Sequence, residues 1–206
     1  MLWRHGRTAW NAEGRFQGQI DVPLDEVGVG QAARAARLLA NLPPALLVSS
    51  DLSRARDTAL ALAEATGLPL HEDERLRETY AGSWQGRLVH EIEAEDADGL
   101  RDWRRGADIR PGGGETRGEL AERTVRGLRH WLDQTPPDGT LVAATHGGTA
   151  RAALGKLLGL PLAAWPVLGG LANGAWSVLE EAQGGWRLAE HNAGTLPERV
   201  MSDDDT

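Results

Sequence analysis

The stretch ALLVSSDLSRARDTALALAEATG, residues 45–67, decides the fold class. Its first six residues, 45–50, form a short apolar run whose length and composition predict a buried strand. From Ser53 onward, alanine and leucine recur at helical spacing, with Ser53 as the expected N-cap and Gly67 as the C-terminal stop. A strand followed directly by a helix is the unit from which α/β sheets are built.

The same alternation of strands and helices continues on both sides of this stretch. Apolar residues at helical spacing predict helices, and short apolar runs or alternating patterns predict strands. The predicted elements are a helix over 28–41, a strand over 68–73, a helix over 116–134, a strand over 139–148, a helix over 149–159 and a hairpin over 173–192. This order predicts a three-layer α/β fold, with a doubly wound and mostly parallel sheet.

One segment interrupts the alternation, and the rest of the chain forms one unit. Residues 83–115 are helix-prone but polar and end in PGGGE, so they are interpreted as a small helical cap inserted over the sheet edge. No repeat or low-complexity linker divides the chain, which predicts a single domain over 1–206. The acidic end SDDDT, residues 202–206, is expected to be a disordered tail.

Composition excludes several classes of function. A formal charge of −8 argues against a nucleic-acid partner, because phosphate backbones select basic surfaces. No run approaches the roughly 18–20 apolar residues that span a bilayer, so no membrane partner is expected. The chain contains 0 cysteines, which fits a cytoplasmic location and excludes thiolate metal sites. A small anion remains a candidate ligand if arginines cluster locally.

Charged side chains follow the predicted strands, where the ligands of open α/β sheets bind. The first group, RHGRTAWN at residues 4–11, is preceded by only two apolar residues, Leu2 and Trp3, so weak apolar anchoring of the first strand is expected. The side chains that these positions share are Arg4, His5, Arg54, Glu78 and His146.

This set of residue types has a chemical logic. Arginine forks match phosphate oxygens, and a neutral histidine is a nucleophile. A carboxyl group serves as acid and then base, while the other histidine stabilises charge. Gly147, which follows His146, lets an anion approach the backbone, so it is a candidate substrate-binding residue. No pair of histidines has the helix-face spacing of a metal site, so no metal is expected.

Six ordered segments carry a resemblance to a known family. They are RHGRTAWN, FQGQIDVPLDEVG, SSDLSRARDTA, LRETYAGSWQG, GGGET and THGG. Together they resemble the histidine phosphatase superfamily, also called the phosphoglycerate mutase-like family. The resemblance implies an α/β sandwich with a small cap, and catalysis through a phosphohistidine without metal or other cofactor.

The resemblance also implies residue roles. His5 matches the nucleophile and Glu78 matches the proton donor, whereas Arg4, Arg54 and His146 match the residues that hold the phosphate. Positions that touch the phosphate or the substrate are matched by Asn11, Gln17 and Gly18. Arg7 departs from the family, which often has Glu or Gln there. It is interpreted either as a partner for a second anion on the substrate or as a partner for an acid at the rim.

The family contains several activities, and three hypotheses remain open. The first is a histidine acid-type phosphatase that hydrolyses a small phosphorylated metabolite, which the compact chain favours. The second is a cofactor-dependent phosphoglycerate mutase, and the third is a non-catalytic member that binds phosphorylated ligands. Residues 75–86, 163–179 and 185–194 are similar to phosphatases that act on glucosyl-3-phosphoglycerate. Because relatives are often dimers, a homodimer is a candidate assembly.

Overall fold

A six-stranded sheet runs through the computed structural model, which describes residues 1–42 and 44–194. Four parallel strands stand in the order β3-β2-β4-β1, and an antiparallel hairpin, β5 and β6, follows β1. The strands are β1 (Leu2–Arg4), β2 (Leu46–Ser49), β3 (Leu70–Glu72), β4 (Leu141–Thr145), β5 (Trp176–Ala182) and β6 (Gly185–Ala193). The predicted mostly parallel α/β sheet is confirmed, whereas the predicted acidic tail lies outside the described residues.

Helices connect the strands. They are α1 (Ala9–Glu13), α2 (Glu26–Leu39), α3 (Ser53–Thr66), α4 (Val89–Glu95), α5 (Ala97–Arg104), α6 (Arg117–Leu132) and α7 (Gly147–Leu157). Within the described residues, 1–42 and 44–194, no helix has both the length and the apolar character needed to cross a bilayer. The helix predicted over 28–41 begins two residues earlier, because Asp25 caps it by accepting from the Gly28 N–H at 2.7 Å.

The sheet is covered on both faces, which gives the predicted three layers. On one face, α2 and α3 bury alanines and leucines against Trp3, Leu47 and Val142. On the other face, α6 and α7 pack Leu128 and Leu154 against the sheet. Alternate residues of β4 serve opposite faces, as the twofold period of a strand requires.

A third apolar cluster lies in the segment between β3 and α6. Its buried members come from α4, α5, a short 3₁₀ turn and the loop after α1: Phe16, Ala81, Trp84, Val89, Ile92, Leu100 and Trp103. Trp84 and Trp103 are each 3% exposed and pack edge to face on Phe16. These aromatic residues therefore hold the segment together instead of facing solvent.

Two expectations are wrong: the N-cap of α3 and the weak anchoring of β1. Ser53 is the first helical residue of α3, and the N-cap is Leu52, which has no side-chain oxygen to offer. Asp21 supplies the oxygen from a distant loop, accepting from the Ser53 N–H at 2.8 Å and its hydroxyl at 2.7 Å. The first strand is short but well anchored, because it lies between β4 and β5 with Leu2 and Trp3 at 3% and 0% exposure.

Candidate active site

The five candidate catalytic residues lie at one edge of the sheet, near the ends of the strands. Arg4 ends β1 and His5 follows it, while His146 directly follows β4. Because β1 and β4 pair in parallel with Arg4 opposite Thr145, the two histidines become neighbours. Their ring centroids are 5.1 Å apart, with the rings inclined at 61°. Pairing of two strands distant in the chain therefore builds the centre of the site.

A backbone carbonyl sets the orientation of the His5 ring. Nδ1 of His5 lies 2.7 Å from the carbonyl oxygen of Gly6, in a side chain that is buried. Because a carbonyl only accepts hydrogen bonds, the proton of the neutral ring is assigned to Nδ1. Nε2 then carries the lone pair, which is the arrangement of a nitrogen nucleophile.

Both histidines are held in the neutral form. Burial lowers the pKa of His5 well below its ordinary value, and the charges of Arg54 and Arg4 lower it further, against an opposing contribution from the Gly6 carbonyl. Burial also lowers the pKa of His146 well below its ordinary value, followed by the charge of Arg54. Desolvation disfavours the charged imidazole, and neighbouring cations repel it. The ring of His5 is therefore available as a nucleophile at neutral pH.

The two buried arginines are oriented by carbonyl oxygens of other loops. Arg54, fully buried in the first turn of α3, donates from Nη1 to the Ile20 carbonyl at 2.9 Å and from Nη2 to the Gly18 carbonyl at 2.7 Å. Arg4 donates from Nη1 to the Leu171 carbonyl at 2.6 Å. Both guanidinium groups keep their charge in this buried setting, because arginine is not deprotonated in proteins.

Glu78 lies against the N-terminus of α7. Its Oε2 accepts from the Gly148 N–H at 3.0 Å, and its Oε1 accepts from the Thr149 N–H at 3.1 Å and the Thr149 hydroxyl at 3.0 Å. Oε1 also accepts from the Thr79 N–H at 2.8 Å. Helix N-termini favour negative charge. Oε1 is saturated by donors while Oε2 has a single backbone donor, so Oε2 is the oxygen better suited to proton transfer.

Asn11 and Gln17 lie on a polar network with Thr8. The Thr8 hydroxyl is 2.9 Å from Gln17 Oε1 and 3.1 Å from Asn11 Oδ1, which also accepts the Thr8 N–H at 3.1 Å. Asn173 bridges this network to the nucleophile, donating from Nδ2 to Asn11 Oδ1 at 3.3 Å and to the His5 carbonyl at 3.1 Å. The network joins both residues to the His5 loop.

Nδ2 of Asn11 and both ring nitrogens of His146 are buried polar atoms that have no hydrogen-bond partner among residues 1–42 and 44–194. A buried polar group without a partner costs about 1–3 kcal/mol. An anionic ligand supplies the acceptor oxygens that the amide N–H and the imidazole N–H need, so the arrangement fits phosphate binding.

The remaining predicted binding residues divide into two groups. Gly147 lies close to Arg4, since a Cβ built on it comes 3.3 Å from the Arg4 guanidinium carbon, and the Gly18 carbonyl holds Arg54. Arg7 lies at the rim, where Nε donates to Asp25 Oδ2 at 2.8 Å. Of the two interpretations of Arg7, pairing with an acid at the rim is therefore the one observed in the described residues.

Three residues at the site were missed by sequence reasoning. Gly148 and Thr149 bind the Glu78 carboxyl, and Asn173 bridges His5 to Asn11. A signal for the first two was present in the THGGT segment, because a helix that begins after a histidine offers free N–H groups. Asn173 had no such signal, since its contacts lie about 160 residues away in the chain.

The described residues contain no group of three or more His, Cys, Asp or Glu side chains that could hold a metal ion. The charges that face the histidines come from arginines. Arginines and the helix N-terminus are thus the electrostatic resources of this part of the chain for stabilising phosphoryl oxygens.

Comparisons of sequence with known proteins identify a family and its relatives. The family model described as "Histidine phosphatase superfamily (branch 1)" matches residues 1–194. Glucosyl-3-phosphoglycerate phosphatase of Mycobacterium tuberculosis (strain CDC 1551 / Oshkosh) is 44% identical over 187 residues, which cover 87% of this chain and 83% of that protein. A 2,3-bisphosphoglycerate-dependent phosphoglycerate mutase of Gloeobacter violaceus is 36% identical over 165 residues, covering 76% and 74% of the two chains.

Solved structures give the same result for the fold. A mycobacterial glucosyl-3-phosphoglycerate phosphatase in complex with VO3 superposes with a TM-score of 0.89 at 42% identity. The superposition covers 93% of this chain and 97% of that chain. The α/β fold therefore has a close structural counterpart.

Proposed function

The chain belongs to branch 1 of the histidine phosphatase superfamily and is a phosphatase, and we propose that it hydrolyses a small phosphomonoester through a phosphohistidine on His5. The observation that carries this proposal is the hydrogen bond from His5 Nδ1 to the Gly6 carbonyl. It leaves Nε2 unprotonated in a buried ring on which the charges of Arg54 and Arg4 act.

In the first step, Nε2 of His5 attacks phosphorus and the bond from phosphorus to the leaving oxygen breaks. Glu78 gives its proton to that oxygen, so the product leaves as an alcohol. Arg4, Arg54 and His146 stabilise the charge on the three equatorial oxygens, which is the main requirement of phosphoryl transfer. The ring of His5 keeps its Nδ1 proton on the Gly6 carbonyl throughout.

In the second step, water cleaves the phosphohistidine. Glu78, now a carboxylate, takes a proton from the water while the water oxygen attacks phosphorus and the bond to Nε2 breaks. Inorganic phosphate leaves, and both His5 and the protonated Glu78 are restored. Uncatalysed monoester hydrolysis is slow enough that enzymes accelerate it by up to ~10²¹-fold. A dense cluster of fixed positive charge and N–H donors is suited to that barrier.

Among substrates, we propose glucosyl-3-phosphoglycerate, the compound named for the 44% identical mycobacterial relative. Asn11, Gln17, Gly18 and Gly147 would surround the phosphate, with Asn11 Nδ2 as a donor to it. Arg7 is the rim cation that a carboxylate on the substrate would meet, in competition with Asp25. A cytoplasmic location, a homodimer and the absence of nucleic-acid partners belong to the same proposal.

A panel of phosphate esters tests the proposal. Phosphate release is measured with p-nitrophenyl phosphate, glucosyl-3-phosphoglycerate, 3-phosphoglycerate and sugar phosphates. We expect release from the first two and at least ~10⁴-fold loss in the His5→Ala variant, because the nucleophile is gone. Release by His5→Ala at the rate of the unmodified protein would refute the phosphohistidine.

Two controls separate the alternatives. EDTA is expected to leave the rate unchanged and vanadate to inhibit; loss of activity with EDTA would refute the metal-independent reaction. Formation of 2-phosphoglycerate from 3-phosphoglycerate would favour the mutase, to which one relative is 36% identical. Tight phosphate-ester binding without turnover would indicate the non-catalytic member.

A further inference from the structure

The GGGET segment, residues 112–116, has no role in the reaction proposed above, yet it lies against the loop that carries Glu78. We propose that Glu115 and Arg123 act together as positioning residues for the Glu78 carboxyl, and so for proton transfer to the leaving group. The proposal rests on the assignment of Glu78 as the proton donor.

Arg123, on α6, holds the chain on the N-terminal side of Glu78. Its Nη1 donates to the carbonyls of Arg75 at 2.8 Å and Arg77 at 3.1 Å, and its Nη2 donates to the carbonyl of Glu78 itself at 3.3 Å. One rigid, planar guanidinium thus binds carbonyl oxygens of the 3₁₀ turn Glu74–Leu76 and of the chain that leads from this turn to Glu78. A lysine, with a single ammonium, has no equivalent fork.

Glu115 holds the same loop on the C-terminal side. Its Oε1 accepts from the Tyr80 N–H at 2.8 Å, and its own N–H donates to the Tyr80 carbonyl at 2.8 Å. The same carboxyl pairs with Arg123, from Nη2 to Oε1 at 2.6 Å. The pair is mostly shielded, with side-chain exposures of 19% and 16%, so solvent screens it less than a surface ion pair. Glu78 is therefore clamped between its two flanks.

The glycines of the segment make this approach feasible. A Cβ on Gly114 would lie 1.8 Å from the Tyr80 carbonyl oxygen, and a Cβ on Gly82 would lie 2.0 Å from the Gly112 carbonyl oxygen. Such distances exclude any side chain without backbone movement. The GGG run thus lets residues 112–115 pack directly against the loop after Glu78.

Arg123 is assigned a positioning role because its guanidinium is already paired with the Glu115 carboxylate. Arg123 contributes to the electrostatics of His146, where its charge lowers the pKa, but its own hydrogen bonds go to loop carbonyls and to Glu115. The Glu78 carboxyl is separately held by Gly148 and Thr149. Loss of the clamp should therefore displace the acid relative to the leaving oxygen, and leave attack by His5 largely intact.

Two matched esters separate these steps. p-Nitrophenolate is a good leaving group that needs little protonation, whereas phenolate from phenyl phosphate is a poor one of nearly the same shape. For Arg123→Gln we expect kcat/KM to fall by ~10–100-fold with phenyl phosphate and by less than ~3-fold with p-nitrophenyl phosphate. Glu115→Gln keeps an oxygen for the Tyr80 N–H. It should show the same selectivity for phenyl phosphate, with a smaller fold decrease in kcat/KM.

The controls use the same helix and the same acid. Arg126 is exposed on α6. The Arg126→Gln variant should keep kcat/KM for both esters within ~2-fold of the unmodified protein. Glu78→Gln should itself be selective for phenyl phosphate. In the Glu78→Gln background, Arg123→Gln should not further lower the ratio of kcat/KM for phenyl phosphate to kcat/KM for p-nitrophenyl phosphate. Two changes that act through one group are not additive.

The ratio of the two esters does not depend on how much of a preparation is folded, so a destabilised variant still gives an answer. An equal fall for both esters in Arg123→Gln, or a further fall of the ratio in the double variant, would overturn the positioning role. Absence of leaving-group selectivity in Glu78→Gln alone would instead show that the assignment of Glu78 is wrong. The two failures are therefore distinguishable.

Discussion

At the scale of single residues, the reactivity of His5 depends on where one proton sits. The Gly6 carbonyl orients the ring at 2.7 Å, while burial and the two arginines keep the ring neutral. The carbonyl raises the pKa of His5 and the other contributions lower it, and the sum is a value well below the ordinary one. The residue thereby combines a fixed tautomer with an available lone pair.

Arg7 is the residue whose role is open to a direct test. Its charge lies at the rim and its Nε is bound to Asp25, so a carboxylate on the substrate would compete with Asp25 for Arg7. In Arg7→Gln we expect KM to rise ~3–10-fold for glucosyl-3-phosphoglycerate but to stay within ~2-fold for p-nitrophenyl phosphate, as for a half-exposed charge pair. Steady-state kinetics with both esters measures this.

Asp25→Asn is the matched control for Arg7. It keeps an oxygen for the Gly28 N–H but removes the competing charge. KM for glucosyl-3-phosphoglycerate is expected to fall in this variant, because the rim cation is released to the substrate. If neither variant changes the relative KM of the two esters, Arg7 serves the rim pair alone.

At the scale of elements, helix N-termini organise the site. The N-terminus of α7 binds the Glu78 carboxyl through two backbone N–H groups, and the N-terminus of α3 carries Arg54. The cap of α3 comes from Asp21, and Arg54 in turn binds two carbonyls of the segment just before Asp21. The 17–21 loop and α3 therefore fix each other in place.

Asp21→Ala should weaken this mutual support. We expect the free energy of unfolding to fall by about 0.5–2 kcal/mol, the usual cost of a lost helix cap, and vanadate inhibition to weaken because Arg54 is held less firmly. Urea unfolding and inhibition assays measure the two effects. Asp21→Asn keeps an acceptor oxygen, so its free energy of unfolding should lie between those of Asp21→Ala and the unmodified protein.

Asp57→Ala on the same helix is the control for Asp21→Ala. Its carboxylate pairs with Arg56 at 3.0 Å on the surface, so its removal should cost less than about 0.5 kcal/mol. Equal destabilisation by Asp21→Ala and Asp57→Ala would contradict the capping role.

At the scale of the whole molecule, the site concentrates positive charge in a chain of net charge −8. Arg4 and Arg54 are buried beside the two neutral histidines, and their fields lower the pKa of both rings. Folding therefore builds a local anion site that opposes the overall sign. Neutral histidines in the folded protein also couple its stability to pH.

Stability is expected to fall as the pH drops below about 6.5, the ordinary histidine pKa. In that range the unfolded chain protonates His5 and His146 while the folded chain does not, because both pKa values are lowered well below ordinary. The loss is up to about 1.4 kcal/mol per pH unit for each histidine, until the pH reaches the folded-state pKa. Urea unfolding at about pH 7, 6 and 5 measures it.

His146→Gln provides the comparison for the pH dependence. Glutamine does not titrate, so the slope of the free energy of unfolding against pH below about 6.5 should lose the contribution of one histidine. An unchanged slope in both His146→Gln and His5→Ala would show that the two rings are not the source.

The local elements and the candidate site chemistry could be predicted from the amino-acid sequence. Strands, helices and the stop at Gly67 follow from apolar periodicity and turn residues, which are short-range properties. The resemblance, carried by ordered motifs, identified the phosphatase family. Each charged cluster followed a strand, and parallel strands end at one edge, so convergence of the site was predictable.

The groups that meet across long separations in the chain could not be predicted from the sequence and are visible in the fold. The pairing of Arg7 with Asp25, the capping of α3 by Asp21 and the cradle of Glu78 on α7 all join different elements. The good anchoring of the first strand likewise comes from its place between two others. Capping and periodicity act over a few residues, whereas these contacts depend on how whole elements pack, which local pattern does not encode.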